Sequence, residues 1–298
     1  IVRDYMSLYT PYRGLLLYHG LGSGKTCASI GIAEGMKSSK QVIIMTPASL
    51  RQNYIADLKK CGDPLYRLNQ FWEFIPTNGN IELEHTLAEI LQLPLKFVKG
   101  KGGAWFVNIK KPSNFETLGT NEKLALNEQI DTMIRAKYRF INYNGLRNSH
   151  LEELQSMSPT NNPFDNSVVI IDEAHNFVSR IVNKMNKPQS LSYKLYEYLM
   201  GAAECRLVFL TGTPIINYPN EIGIMFNMLR GYIKTFKFTV SIQTSRAVTQ
   251  KTIEDAFKNF VLHDYVNYDA GSKRIIMTRN PFGFVGVTRT NDYLGVQK

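Results

Sequence analysis

The chain has 298 residues, 44% hydrophobic and 20% charged, a balance that suits one large or two ordinary packed domains and excludes a chain disordered along most of its length. No stretch reaches the roughly 18 uninterrupted apolar residues of a membrane-spanning helix; the runs at 15–18 and 168–171 stop too soon, so the chain reads as soluble with no membrane partner. The formal charge of +10 is compatible with a polyanionic partner, whose counterions Lys and Arg would release.

The opening IVRDYMSLYTPYRG has neither a starting Met nor a signal-like apolar core, and reads as a start inside a longer protein with no secretory signal. Cys27, Cys61 and Cys205 are far apart with no CxxC pair, which argues against a disulfide framework and a zinc site and for a reducing intracellular setting. Cys27 is expected simply to pack.

The run LLLY at 15–18 meets a glycine cluster and then the helix-compatible KTCASIGIAEGMK, a strand, loop and helix. A second run at 42–45 meets Thr46-Pro47 and then ASLRQNYIADLKK, where Leu50, Tyr54 and Leu58 recur at helical spacing. The alternation predicts a parallel sheet flanked by helices. From about 62 to 137 the rhythm weakens, with Trp72, Trp105, a Lys/Gly-rich turn at KGKGGAW and a polar stretch at KKPSNFETLGTNEK. This is read as an insertion whose aromatics, Trp72, Phe74, Trp105 and Phe106, form a small core of their own in preference to a nucleic-acid wedge or docking face. The sheet resumes at 138–143 and at 168–171, which ends in Asp172-Glu173-Ala174-His175, and again at 206–210, followed by Thr211-Gly212-Thr213-Pro214 and a helix over EIGIMFNMLRGY. Beyond about 234, strand-like FKFTVSIQT and RIIMTRN flank a helix candidate, TIEDAFKNFVLHDYV.

In YHGLGSGKT the glycines let successive backbone N–H groups point inward while the next helix presents its positive end to the same spot. Gly20, Leu21, Gly22, Ser23, Gly24, Lys25 and Thr26 are therefore the candidate ATP-binding residues, Lys25 reaching the β- and γ-phosphates and Thr26 ligating Mg²⁺. The strict pattern wants a glycine where His19 stands, and Gly20 and Gly22 compensate in part. Asp172, at a strand end where open α/β sheets place their ligands, is the second Mg²⁺ ligand. Glu173 is the group that orients or deprotonates the attacking water, so Glu173, Lys25 and Asp172 form the candidate catalytic set.

With GSGKT, TPASL, DEAH and TGTP in this order, the chain resembles the superfamily 2 helicase and translocase ATPases over roughly 12–60 and 138–230. LTGTPIINYPNE is most similar to the Swi2/Snf2-like branch and to the helicase-like ATPases of large DNA viruses; LLYHGLGSGKT and RNPFGFVGV resemble the viral group, typified by the poxvirus early transcription factor small subunit and nucleoside triphosphatase I. The resemblance implies an α/β, RecA-like P-loop NTPase domain over 1–231, carrying the 62–137 insertion, with 232–298 as the start of an inter-domain accessory region. A second RecA-like domain with an arginine finger is not found after Pro214, so this chain alone should hydrolyse ATP poorly. His175, Thr211 and Thr213 would couple the nucleotide to the nucleic-acid side, and Thr46, Pro47, Ser49, Arg51 and Asn144 would contact the strand. Tyr12 and Arg13 are candidates for stacking on adenine. The implied partners are nucleic acid, with DNA favoured and RNA open, the second RecA-like domain, and transcription machinery, in a virion or host cytoplasm if the source is viral. Two alternatives stay open: the motor of a restriction-type nuclease, and a nucleotide-responsive assembly module that moves no strand.

Overall fold

The computed structural model describes residues 2–10, 12–20, 22–241, 243–259, 263–279, 284–287 and 293–296. The chain divides into two units, one of residues 1–7 and 14–229, the other of 8–13 and 230–298.

The first unit contains α1 (Val2–Tyr5), β1 (Gly14–Tyr18), α2 (Lys25–Met36), β2 (Gln41–Thr46), α3 (Arg51–Cys61), β3 (Trp72–Pro76), α4 (Ile81–Leu91), α5 (Leu95–Lys101), β4 (Gly103–Val107), α6 (Thr120–Lys137), β5 (Tyr138–Asn142), α7 (Asn148–Ser156), β6 (Ser167–Ile171), α8 (Ala174–Val182), α9 (Leu191–Gly201), β7 (Arg206–Thr211) and α10 (Asn220–Arg230). Five strands form one parallel sheet in the order β1-β7-β6-β2-β5. The three inner strands are the most apolar, as strands covered on both faces must be: all five residues of β6 are buried, as are 42–46 of β2 and 207–211 of β7. Because every strand runs the same way, the loops after β1, β2, β5, β6 and β7 gather at one edge, and those are the five loops that carry the sequence motifs. Gly14 opens β1 where α10 closes on it; a Cβ there would lie 2.4 Å from the Leu229 carbonyl oxygen, so only glycine permits that approach.

Between α3 and β5 the insertion pairs β3 with β4 antiparallel, Phe74 opposite Trp105, against α4, α5 and α6. Both tryptophans are buried, and Gln129 of α6, itself buried, receives the Trp105 N–H at 2.8 Å and donates to its carbonyl at 2.8 Å. Phe74 stays partly exposed beside Trp105. The Lys99-Gly100-Lys101 stretch, expected as a turn, is the last turn of α5, and Gly102 at φ 68° ends that helix.

The cysteine reading is corrected. Cys27, in the first turn of α2, and Cys61, at the end of α3, form a disulfide with Cα atoms 5.7 Å apart, while Cys205 is free and buried. Thirty-four residues separate the pair in sequence; only the packing of α2 beside α3 brings them together.

In the second unit, β8 (Thr235–Thr239), α11 (Gln250–Phe257), β9 (His263–Asp269) and β10 (Arg274–Arg279) give an antiparallel sheet ordered β8-β10-β9, and β11 (Phe284–Val287) pairs with β12 (Tyr293–Val296). The long helix expected over 252–266 is corrected: α11 ends at Phe257, and HDYV belongs to β9. Val266 and Tyr268 alternate onto a buried face with Ile275 of β10, which is strand periodicity. Residues 280–283 of RNPFGFVGV lie outside the described residues.

Candidate functional site

The loop after β1 is built on two left-handed glycines, Gly22 at φ 74° and Gly24 at φ 79°, the latter the residue on which α2 starts. No side chain caps α2, so its first N–H groups remain directed at the loop, and an anion there would meet both those donors and the helix dipole. The Lys25 ammonium is held by two carbonyls of its own loop, His19 at 2.7 Å and Gly20 at 2.9 Å, and Ser23 Oγ donates to Gly20 at 2.7 Å. His19, which breaks the strict loop pattern, thus contributes a backbone carbonyl. Leu21 lies outside the described residues.

A cavity of about 420 Å³ opens over this loop, lined by 22–27, by Leu50, Asn53, Tyr54 and Asp57 from the start of α3, and by Asp172 and Glu173. Sequence reasoning did not single out the α3 residues as part of this wall. Tyr54 is buried and shares a 2.9 Å hydrogen bond with Ser29 of α2, which fixes α3 against the helix that follows the glycine loop. Burial raises the Asp172 carboxyl to about 6, reinforced by the charge of Glu173 and opposed by the Glu173 N–H and the attraction of Lys25. A divalent cation would relieve that cost. Thr26 and Asp172 offer one hydroxyl and one carboxylate, the one or two protein oxygens that Mg²⁺ takes when phosphates and water complete its shell. Among the described residues no three His, Cys, Asp or Glu side chains gather as an all-protein metal site.

Glu173 carries the backbone at φ 47°, ψ 51°, left-handed and without a side-chain cap to α8. One step on, His175 Nδ1 lies 2.7 Å from Thr211 Oγ1, 3.3 Å from Thr213 Oγ1 and 3.4 Å from a Glu173 carboxylate oxygen. His175 therefore touches Glu173 and both threonines, and the threonines reach Glu173 through it. After Thr213, buried Glu221 receives the N–H groups of Ile216 at 2.7 Å and Asn217 at 3.2 Å. Burial opposes its ionisation, but those N–H groups outweigh it and hold the carboxyl below its ordinary range.

A second cavity, of about 530 Å³, also has Glu173 in its wall, together with Pro47, Ser49, Asn144, Asn176, Arg180 and Asn217. Three of the five expected strand contacts are here. Thr46 is buried, its hydroxyl donating to the Pro47 carbonyl at 3.0 Å, so its side chain shapes the loop. Arg51 lies elsewhere, over the Phe140 ring at 5.3 Å. Tyr12 and Arg13 belong to the second unit. Asn176 and Arg180 follow DEAH without belonging to it, and Asn217 stands in LTGTPIINYPNE without having been singled out for the site.

A parallel sheet ordered in this way, with a glycine-loop lysine after one edge strand and an acidic pair after the central one, defines a RecA-like P-loop NTPase domain. No family model matches the chain. It is 28% identical over 293 residues, 95% of this chain and 42% of the relative, to a protein of Acanthamoeba polyphaga mimivirus provisionally named an ATP-dependent RNA helicase. It is 25% identical over 221 residues, 74% of this chain and 23% of the relative, to the termination factor NPH-I homologue of African swine fever virus. These viral relatives are helicases and termination factors by name, and over most of its length the chain resembles them. It spans less than half the length of either relative. A Sulfolobus solfataricus SWI2/SNF2 ATPase core in complex with double-stranded DNA covers 76% of this chain and 33% of its own at 14% identity and a TM-score of 0.36; the fold assignment rests on strand order and loops, not on that likeness. Among the described residues no helix is long and apolar enough to cross a membrane.

Proposed function

We propose that the chain is the ATP-binding half of a nucleic-acid-dependent ATPase motor that moves along or unwinds a strand, with DNA the favoured track, serving viral transcription or its termination. The observation that carries this reading is that Glu173 lines both cavities, the one over the glycine loop and the one walled by Pro47, Ser49 and Asn144. A carboxylate shared by two sites can report the occupancy of one to the chemistry of the other.

In the first cavity the Lys25 ammonium exchanges its two carbonyl partners for phosphate oxygens, a stronger charge-assisted contact, while the N–H groups of 22–26 hold the remaining oxygens. Thr26 and Asp172 hold Mg²⁺, which when bound neutralises charge on the transferred phosphoryl group. Glu173 holds the attacking water in line and takes its proton. His175, held by Thr211 and Thr213, fixes the Glu173 carboxylate and links it to the loop after β7. The second cavity presents amides, hydroxyls and one guanidinium, a set that grips a sugar-phosphate backbone without reading bases.

The test is ATP hydrolysis by the full-length protein, alone and with single- and double-stranded DNA and RNA. Stimulation of at least tenfold by one of them is the expected result, and the nucleic acid that gives it names the track. Tight ATP binding with no hydrolysis under any condition would replace this reading with the assembly module. The relatives named for RNA and for termination support the transcription context, and a run-off assay with and without the protein tests it.

A further inference from the structure

Glu173 keeps a left-handed backbone conformation, which a residue with a side chain holds only where its surroundings impose it. Tyr143, the residue after β5, is hydrogen-bonded to that turn. Its ring is buried, edge-on to Phe177 with centroids 5.5 Å apart, and its hydroxyl donates to both the Asp172 carbonyl, at 3.1 Å, and the Glu173 carbonyl, at 3.2 Å. Burial pushes the phenol pKa well up, so the hydroxyl keeps its proton to give. The Tyr143 carbonyl in turn accepts from Arg180 Nη1 at 2.7 Å, and the same nitrogen donates to Asn144 Oδ1 at 2.9 Å. Arg180 and Asn144 both stand in the wall of the second cavity. One tyrosine therefore touches the turn that carries Glu173 with its side chain and the cavity wall with its main chain.

We propose that Tyr143 is a positioning residue that holds the Glu173 turn in its left-handed form and passes the state of the second cavity to it through Arg180 and Asn144. A phosphate drawn to Arg180 competes with the Tyr143 carbonyl for the guanidinium. Release of that carbonyl shifts the end of β5 and with it the hydroxyl that spans the Asp172 and Glu173 carbonyls. The inference rests on Glu173 being the water-positioning carboxylate.

The experiment uses the full-length protein and Tyr143→Phe, which keeps the ring and removes only the hydroxyl. Steady-state ATP hydrolysis is measured with and without a DNA duplex and a single-stranded RNA, and ATP affinity is measured by titration. The expected result is a fall of about tenfold in kcat with the stimulating nucleic acid, in line with the loss of one shared buried hydrogen bond, at a KM and an ATP affinity within about twofold of wild type. A kcat within about twofold of wild type overturns the proposal, and so does a parallel loss of kcat and ATP affinity, which a merely structural tyrosine would give. Glu173→Gln serves as the control. If it hydrolyses ATP as wild type does, the catalytic reading of Glu173 fails; if it is silent while Tyr143→Phe is normal, only the positioning role fails. Should Tyr143→Phe not fold, Arg180→Met decides at saturating nucleic acid: a kcat that stays low once the strand is saturated, at unchanged ATP affinity, supports the relay, and a wild-type kcat at saturation overturns it.

Discussion

The loops at the sheet edge and the insertion at 62–137 use the same kinds of residue in opposite ways. In the insertion the polar side chains are tied up internally: Gln129 on the Trp105 backbone, Asn114 on the Trp72 backbone at 2.8 and 3.0 Å, Lys111 with Glu73, Lys101 with Glu128. Its nine Lys and Arg match nine Asp and Glu, so it is no basic stripe despite KGKGGAW. At the sheet edge, Lys25, Asp172, Glu173, Asn144 and Arg180 line cavities, and the backbone is left-handed at Gly22, Gly24 and Glu173. A polar residue that folding has already satisfied holds structure, whereas one left at a cavity wall is available to a ligand. The formal excess of +10 resides in 1–61 and 232–298, since 138–231 also balances with eight of each sign; net charge alone therefore does not mark the site.

The sharpest break between the two regions is Glu173→Gln in the full-length protein. Hydrolysis should fall about 10²–10⁴-fold, the contribution of a positioned base, while ATP still binds; wild-type turnover would remove Glu173 from the chemistry. Trp72→Ala should do the reverse. Trp72 is 2% exposed and its indole N–H is donated to the Leu68 carbonyl, so truncation should cost about 3–5 kcal/mol of stability, read by denaturant unfolding. Its KM and kcat for ATP below the unfolding transition should stay at wild-type values. A selective loss of kcat would show that the insertion takes part in the cycle.

That contrast also explains what was legible in the sequence. The glycine loop, the acidic pair and Thr211–Thr213 work through neighbours within a few residues, so the chemistry can be read along the chain, and the apolar runs that precede them place them at strand ends. The wall residues Tyr54 and Arg180, the positioning Tyr143, and the Cys27–Cys61 bond depend on contacts between residues 25 to 37 positions apart, which no local pattern encodes. Thr46 turns its hydroxyl onto the Pro47 carbonyl, a direction that position in a motif does not give. β9 was read as helix because Ile253 and Phe257 start a helical phase that apolar residues at 260–262 carry on in the sequence, while the alternation of Val266 and Tyr268 gains meaning only from the partner strand β10.

A smaller effect is expected at Lys25. Replacing it with alanine removes a point charge from the phosphate grip and should weaken ATP binding roughly 10–150-fold, as for hydrogen bonds to charged groups, with little loss of stability, because among the described residues the lysine's hydrogen bonds go to carbonyls of its own exposed loop. Unchanged ATP affinity in a titration would refute the phosphate grip and erase the difference between this loop and an ordinary glycine turn.

The smallest expected effect has an unusual sign. Asp172 titrates at about 6 in the folded protein, above the ordinary carboxylate value, so between about pH 4 and 6 the folded state binds more protons than the unfolded one. Stability from this group is therefore highest below that window, falls as pH rises through it and stays reduced above it. Two pKa steps correspond to about 3 kcal/mol at most, and residual exposure lowers this to about 1–2 kcal/mol. Asp172→Asn removes the charge and should stabilise the metal-free protein by that amount at pH 7.5 and by almost nothing at pH 4, in denaturant unfolding with a chelator present. An equal effect at both pH values would mean that the carboxylate is not strained by its surroundings. The gain should shrink when Mg²⁺ and a non-hydrolysable nucleotide are added, because a cation at Asp172 offsets the same burial cost in the wild type and cannot do so for the amide. A half-buried carboxylate that costs stability on its own and ceases to do so with metal is what separates this edge of the sheet from the insertion, where Glu73, Glu84, Glu122 and Glu128 are already met by a lysine or a hydrogen bond from the insertion itself.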